Sequence, residues 1–364
     1  MIPVTKPYLP SREKLNQYID GIYERNWLTN NGPLVQELTA RLEKHLGVEN
    51  LLLVSNGTLA LQIAYRALSV NAPVHGKSAE AVTTPFSFIA TASSLKWEGI
   101  QPVFADIDPQ TWCVAPENIE AQITERTRSI VPVHVFGNAS DVEAIDAIAK
   151  RYNLRVIYDA SHAFDVNYKG ESLLKYGDAA TLSLHATKLF HTVEGGAIIF
   201  KCREDMERAK KMVNFGISGP DSIEELGINA KMNEFQAAMG LCVLDEIEGN
   251  MADRAKIRAL YETELNGVVQ LQKRYGDLSC NSAYFPILLE TEQKTVDMVN
   301  RLKVDGVIAR RYFYPSLESV DVLGGESEQP VSSNIAKRVI CLPIYSGLSS
   351  SDQKRIIRTI HDSI

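Results

Sequence analysis

Between Leu51 and Ser161 the chain alternates short apolar runs with amphipathic segments, and this alternation constrains the fold more than any other feature. LLLVS (51–55) precedes TLALQIAYRAL (58–68), AVTTP (81–85) precedes SFIATASSLKW (87–97), and QPVFADI (101–107) precedes PENIEAQI (116–123). SIVPVHVF (129–136) then precedes DVEAIDAIAKRYN (141–153), and RVIYDAS (155–161) closes the run. Strands that are apolar on both faces and separated by amphipathic helices predict an α/β fold, a mainly parallel sheet covered by helices on both sides. Ligands of such sheets sit at the carboxyl ends of the strands, so the residues just after each strand are the candidates for chemistry.

On either side of this run the pattern differs. Residues 1–34 hold Pro3, Pro7, Pro10 and the turn-like WLTNNGP, and read as an N-terminal arm. In the helix that follows, Val35, Leu38, Leu42 and Leu46 recur at spacings of three and four, so one face is predicted to bury, and Gly47 is a stop signal. Beyond Ser161, AATLSLHA and GAIIFK read as two closely spaced strands, and NAKMNEFQAAMGLCVLDEIE (229–248) as one long helix. Its stripe of Met232, Phe235, Met239 and Cys242 suits core or a subunit interface. After about Glu248 a charged helix, VVQLQK, AYFPILLE and two further helices predict a smaller α+β domain. The expected division is therefore an arm (1–34), a large domain (35–248) and a small one (249–364), which suits a chain of 364 residues.

Several function classes are disfavoured. The net charge of −7 argues against non-specific nucleic-acid binding, which needs many cations on phosphates. The apolar runs are too short to span a bilayer, and MIPVTKPYLP lacks the apolar core of a secretory leader, so a cytoplasmic location with no membrane partner is expected. The cysteines Cys113, Cys202, Cys242, Cys280 and Cys341 show no CxxC spacing, which disfavours a zinc site or a disulfide framework. No P-loop, GxSxG elbow or HExxH helix is present.

The candidate chemistry centres on Lys188. The stretch Thr181–Phe200 carries only Lys188 and Glu194 as formal charges, in a chain that is 23% charged. Burial disfavours the ammonium form, so a desolvated lysine becomes nucleophilic; a surface lysine on a turn is the bland alternative. Four strand ends converge with it. Gly57 and Thr58 open a helix after LLLVS, where free N–H groups favour an anion, although plain capping explains the same residues. Asp159 ends a buried strand and needs a cationic or hydrogen-bonding partner, whether ligand or structural ion pair. His162 reads as a structural histidine or a ligand contact, and Phe88, after Pro85, as core or a flat stacking surface. Together these residues suit a planar, phosphorylated aldehyde, pyridoxal 5′-phosphate. Lys188 would bond the aldehyde, Asp159 keep the ring nitrogen protonated, Phe88 cover the ring, and Gly57, Thr58 and Ser183 hold the phosphate. In ARRYFYP, residues Arg310, Arg311, Tyr312 and Tyr314 suit either a charged strand edge or contacts to a sugar and diphosphate.

The motif order resembles the DegT/StrS family of sugar-nucleotide aminotransferases. The matching segments run from NWLTNNGPLVQELTARLEKHLGV through SNGTLAL, TTPFSFIATAS, PVFADIDPQT, IVPVHVFGN, IYDASHAF, LSLHATKLFHTVEGG and GINAKMNEFQAAMGL to RYFYPSL and CLPIYSGLS, nearly the whole chain. DAxHA followed by SxHATK and EGG is the most specific part. The resemblance implies an aspartate-aminotransferase-like fold, pyridoxal phosphate as cofactor, Lys188 as Schiff-base lysine and Asp159 as partner of the ring nitrogen. It places His162 beside the ring hydroxyl, Phe88 against the ring, and Gly57, Thr58 and Ser183 at the phosphate. It also implies that Asn229 reaches the phosphate of a neighbouring subunit, hence a homodimer with shared sites. Family members that act as dehydratases carry histidine in place of this lysine, so Lys188 implies transamination. PVTKPYLP, NWLTNNGPLVQEL and VICLPIYSGL further resemble those members that use L-glutamate to aminate C4 of a dTDP-linked 4-keto-6-deoxysugar for bacterial surface polysaccharide. Amination at C3, another pyridoxal-phosphate reaction, or a non-catalytic regulator on the same fold are the alternatives. The segment SVNAPVHGKSAE (69–80) is longer than the family's usual link and is expected to lie away from the site.

Overall fold

The computed structural model describes residues 1–324 and 327–364. Helices α1 (Arg12–Arg25) and α2 (Pro33–Leu46) lead into β1 (Leu51–Val54) and α3 (Gly57–Ala67). Next come β2 (Glu80–Thr83), α4 (Ile89–Trp97), β3 (Gln101–Phe104), α5 (Pro116–Ala121), β4 (Thr127–Val131), α6 (Val142–Tyr152) and β5 (Arg155–Asp159). A short hairpin, β6 (Asn167–Tyr168) and β7 (Glu171–Ser172), precedes β8 (Ala179–Ser183), β9 (Gly196–Phe200) and α7 (Arg203–Met212). A second hairpin, β10 (Ile217–Gly219) and β11 (Ser222–Ile223), leads to α8 (Glu234–Asp245) and α9 (Ile247–Leu265). The remainder is β12 (Gln270–Leu271), β13 (Phe285–Leu288), α10 (Glu292–Val304), α11 (Pro330–Arg338), β14 (Val339–Leu342) and α12 (Ser350–His361).

Seven strands form one sheet in the order β1-β9-β8-β5-β4-β2-β3, and β12, β13 and β14 form a second, antiparallel sheet. In the large sheet β9 alone runs antiparallel to its neighbours, while β8, β5, β4, β2 and β3 pair in parallel. The strands read as uninterrupted apolar runs because both faces are covered. Along β5, Val156 and Tyr158 face one core and Ile157 the other; along β9, Ala197 and Ile199 share the first and Ile198 and Phe200 the second. That is the two-residue period of a strand feeding two hydrophobic layers. A third core, with Ile257, Tyr261, Phe285, Ile287 and Ile356, lies under the small sheet.

The single reversed strand matters for the site. Because β9 returns antiparallel beside β8, the connection 184–195 that carries Lys188 lies at the edge where β1, β5 and β8 end. The strand end at β1 can pack there only because two glycines are present. A Cβ on Gly196 would lie 2.4 Å from the Asn56 carbonyl oxygen, and one on Gly57 2.8 Å from the Ser183 Cβ.

Two segments differ from their sequence-based reading. The arm contains the fourteen-residue helix α1, capped by the Ser11 side chain at one end and by left-handed Asn26 at the other. Residues 229–248 are not one helix. Asn233 breaks the run as the N-cap of α8, its side chain accepting from the Gln236 N–H while Gln236 reaches back in a reciprocal capping box. The expected stripe splits accordingly: Met232 lies outside the helix and is buried, Cys242 is core, and Phe235 is exposed. Among the described residues no helix is long and apolar enough to cross a membrane.

Candidate active site

A cavity of about 370 Å³ opens at the carboxyl edge of the large sheet. Its floor is built from the starts and ends of regular elements. Asn56 caps α3 by accepting the Leu59 N–H, and the first N–H groups of that helix, at Gly57 and Thr58, have no partner within it. Gly57, Thr58 and Ser183 line the cavity together. A side chain at position 57 would fill the space between them, so the glycine keeps an anion-sized cradle open.

Asp159 ends β5 and is buried. Its carboxylate accepts from the Thr91 hydroxyl at 2.7 Å and from the Ser161 N–H at 3.1 Å, and Thr91 is itself held by Ser87 at 2.8 Å. Two neutral donors leave lone pairs free on an anion facing a cavity, which is what a protonated ring nitrogen requires. Thr91 went unnoticed in the sequence; only its place one turn into the helix after TTPFSF hints at its reach.

His162 is buried beside it, and its Nδ1 accepts the Phe136 N–H at 3.2 Å, so the neutral ring carries its proton on Nε2. Burial, and then the charge of Lys188, hold its pKa well below the ordinary histidine range. Phe136 and Phe313 lie parallel to the imidazole with centroids 5.9 and 5.8 Å away. Phe88 is the N-cap residue of α4 and lines the cavity while 55% exposed, free to cover a flat ligand.

Lys188 follows a turn closed by its own N–H to the His185 carbonyl at 2.8 Å. Burial pushes its amine down to about 8, Asp159 opposes that shift and Arg310 adds to it. Nζ donates to the Tyr284 hydroxyl at 3.3 Å. Tyr284, Arg310, Tyr312 and Phe313 make the wall opposite the floor. The stretch 309–315 does both things the sequence allowed. Arg310 exchanges two backbone hydrogen bonds with Cys341 as a sheet edge would, yet its side chain lines the cavity, with Tyr312 4.8 Å beneath its guanidinium. Arg311 pairs instead with Glu292, and Tyr314 stacks on Arg311. Tyr284 had no sequence signal, lying in AYFPILLE as one more apolar strand residue.

Asn229 is not part of this cavity. It is exposed, bridged to Asn214, and flanked by the exposed apolar side chains of Phe215, Ile223, Leu226 and Ile228. None of residues 69–80 lines the cavity.

The chain can be set beside known proteins on this basis. The model of the DegT/DnrJ/EryC1/StrS aminotransferase family matches residues 10–361. The chain is 40% identical to a dTDP-4-amino-4,6-dideoxy-D-glucose transaminase of Shigella dysenteriae, over 99% of this chain and 98% of that one. It is 36% identical to a protein of the same name from Escherichia coli, again over 99% and 98%. Among solved structures, DesI in the presence of its TDP-sugar product superposes with a TM-score of 0.91 at 30% identity, over 99% of this chain and 92% of that one.

Proposed function

The chain belongs to the DegT/DnrJ/EryC1/StrS aminotransferase family, whose members depend on pyridoxal 5′-phosphate, and we propose that it transfers the amino group of L-glutamate to C4 of a dTDP-linked 4-keto-6-deoxysugar. The product would be dTDP-4-amino-4,6-dideoxyglucose, a precursor of surface polysaccharide. The observation that carries this reading is a buried lysine whose amine is driven toward neutrality, sharing one cavity with a buried carboxylate that forms no ion pair among the described residues. The names of the relatives support the sugar and the nucleotide.

The residues present fit the cofactor. The cradle at Gly57, Thr58 and Ser183 suits its phosphate, and Asp159 suits the ring nitrogen. When bound, pyridoxal 5′-phosphate supplies an aldehyde that accepts the amino group and a ring that draws electrons from the reacting carbon. Asp159 holds a proton on the ring nitrogen and stabilises the positive charge there. His162 would offer its Nε2–H to the ring hydroxyl, and Phe88 would lie against the ring. Lys188 would hold the aldehyde, and its amine, when free, would take the proton from the donor α-carbon. In the second half the same amine returns a proton to the sugar carbon.

A second subunit completes the site in this reading. Asn229 is exposed at the end of a segment rich in exposed apolar side chains, the composition of a surface that a second copy covers. Mixing Lys188→Ala with Asn229→Ala protein should restore part of the activity through mixed dimers. No recovery despite proven subunit exchange would count against shared sites.

The direct test offers glutamate with 3-keto and 4-keto deoxysugar nucleotides. Amination of the dTDP-4-keto sugar with release of 2-oxoglutarate is the expected result. Amination at C3 alone would move the assignment, and no visible absorption band after incubation with pyridoxal phosphate would remove it.

A further inference from the structure

Lys188 lies on the connection between β8 and β9 of the large sheet, but among the described residues the side chain hydrogen-bonded to its amine, Tyr284, comes from beside the small antiparallel sheet. Tyr284 lies immediately before β13, buried, with its ring 4.4 Å from the His162 ring and 5.6 Å from that of Phe136. Nothing in the packing requires its hydroxyl. A phenylalanine would fill the same space, and burial raises the phenol pKa far above neutrality, so the group stays a neutral O–H. The hydroxyl oxygen accepts one N–H of Lys188 at 3.3 Å.

The backbone around Tyr284 is fixed with unusual care. Helix α9 presents Asn250, Arg254 and Arg258 at successive spacings of four, hence on one face. The Arg254 guanidinium donates to the Asn250 side chain at 3.0 Å, to the Ala283 carbonyl at 3.5 Å and to the Ile344 carbonyl at 3.0 Å. Arg258 donates to the Tyr284 carbonyl itself at 3.2 Å. Asn250 donates to the Leu189 carbonyl at 3.2 Å, the residue next to the lysine. Arg254 is buried without a carboxylate partner among the described residues, an expensive arrangement whose product is a fixed distance between Leu189 and Ala283.

We infer that Tyr284 is a positioning residue for Lys188: its hydroxyl takes one N–H of the freed amine and leaves the nitrogen lone pair aimed into the cavity. The geometry explains why the amine needs such a partner. A lysine side chain has four rotatable bonds, and once released from its covalent anchor it would spread over many rotamers. One hydrogen bond from a rigid partner selects the rotamer that reaches the reacting carbon, and loss of such selection slows proton transfer without weakening substrate binding. Tyr284 acts on both half-reactions, because the same amine serves both.

This inference rests on Lys188 being the reactive lysine, and its test separates the two. Tyr284→Phe keeps the ring packing on His162 and Phe136. In the variant kcat should fall at least tenfold in both half-reactions with KM within twofold. The second readout needs neither cofactor nor substrate: in cofactor-free protein, the pH dependence of Lys188 acetylation, followed by mass spectrometry, reports its amine directly. Loss of an acceptor for the ammonium should move the midpoint of that profile to lower pH by half a unit or more. A kcat within twofold of the parent, or an unmoved midpoint, overturns the role of Tyr284. Failure of Lys188 to bond pyridoxal phosphate in the parent protein would instead overturn the proposed function.

Discussion

The floor of the cavity is made by strand ends and one helix start of the seven-stranded sheet, whereas its wall comes from Tyr284, beside the small antiparallel sheet, and the irregular stretch 309–315. The two are held differently. Most floor groups hang on regular elements, Gly57 and Thr58 on the first turn of α3 and Asp159 and Ser183 on the last residues of β5 and β8, while Lys188 sits on the connection between β8 and β9. The wall depends on side-chain clamps, with Arg310 resting on Tyr312 and Tyr284 held by helix α9. A floor so built suits chemistry common to every substrate, because a sheet edge hardly moves. A wall held by side chains suits recognition, because it can be re-cut without disturbing the sheet.

If this division is right, floor variants and variants of the wall stretch 309–315 fail in different ways, and Tyr284 fails with the floor because its hydroxyl serves the Lys188 amine. The largest effect is expected at Lys188. Lys188→Ala should lower turnover by about 10³-fold or more and leave the melting temperature near that of the parent. Native-rate transamination by this variant would end the floor's claim to the chemistry. Asp159→Asn should cost roughly 10²-fold in both half-reactions with the two substrate KM values little changed, since the lost term is charge stabilisation. A defect confined to one half-reaction would place Asp159 with the wall.

Arg310→Ala should do the opposite. This guanidinium lines the cavity, and among the described residues it makes no ion pair. Its removal should raise the KM of an anionic substrate roughly tenfold with kcat within threefold, the loss expected for one hydrogen bond to a charged group. An equal loss in kcat for every substrate would erase the distinction between wall and floor.

The smallest effect concerns stability and belongs to the layer around the large sheet. Burial lowers the pKa of His134 to about 3 and that of His162 well below its ordinary value. The unfolded chain therefore binds more protons than the folded one below about pH 6.5, and stability falls as pH drops through that range. His134 contributes a slope of up to about 1.4 kcal/mol per pH unit between the ordinary histidine pKa and its own, and His162 acts in the same direction. His134→Gln should remove one such contribution from the unfolding free energy measured by denaturant between pH 6 and 4, while Arg310→Ala should leave the slope unchanged.

The same difference sets what a reader of the sequence can find. The alternation from Leu51 to Ser161 and the strand ends at Asn56, Asp159 and Ser183 are written locally, in apolar runs and the polar residues that stop them. Thr91 reaches the Asp159 carboxylate, and Tyr284 and Phe313 reach the cavity, by tertiary contact, and no periodicity marks them. Arg310 was visible only as one of two adjacent arginines. Which of the pair faces the cavity depends on the backbone exchange with Cys341, a partner thirty-one positions away. The break at Asn233 was legible in principle, since Asn followed three residues later by Gln is a capping-box pattern, but the apolar run on both sides concealed it.

The face of α9 that carries Asn250, Arg254 and Arg258 has a consequence for how such a chain can vary. A residue inserted between positions 250 and 258 would turn Arg258 about 100° around the helix axis relative to Asn250, taking it off the Tyr284 carbonyl while Asn250 stayed on Leu189. Substitutions along this helix are therefore far easier to accommodate than changes in its length. Loops such as 69–80 lie away from the cavity, but α9 works as a ruler between Leu189 and Tyr284, and its count of residues is part of the active site.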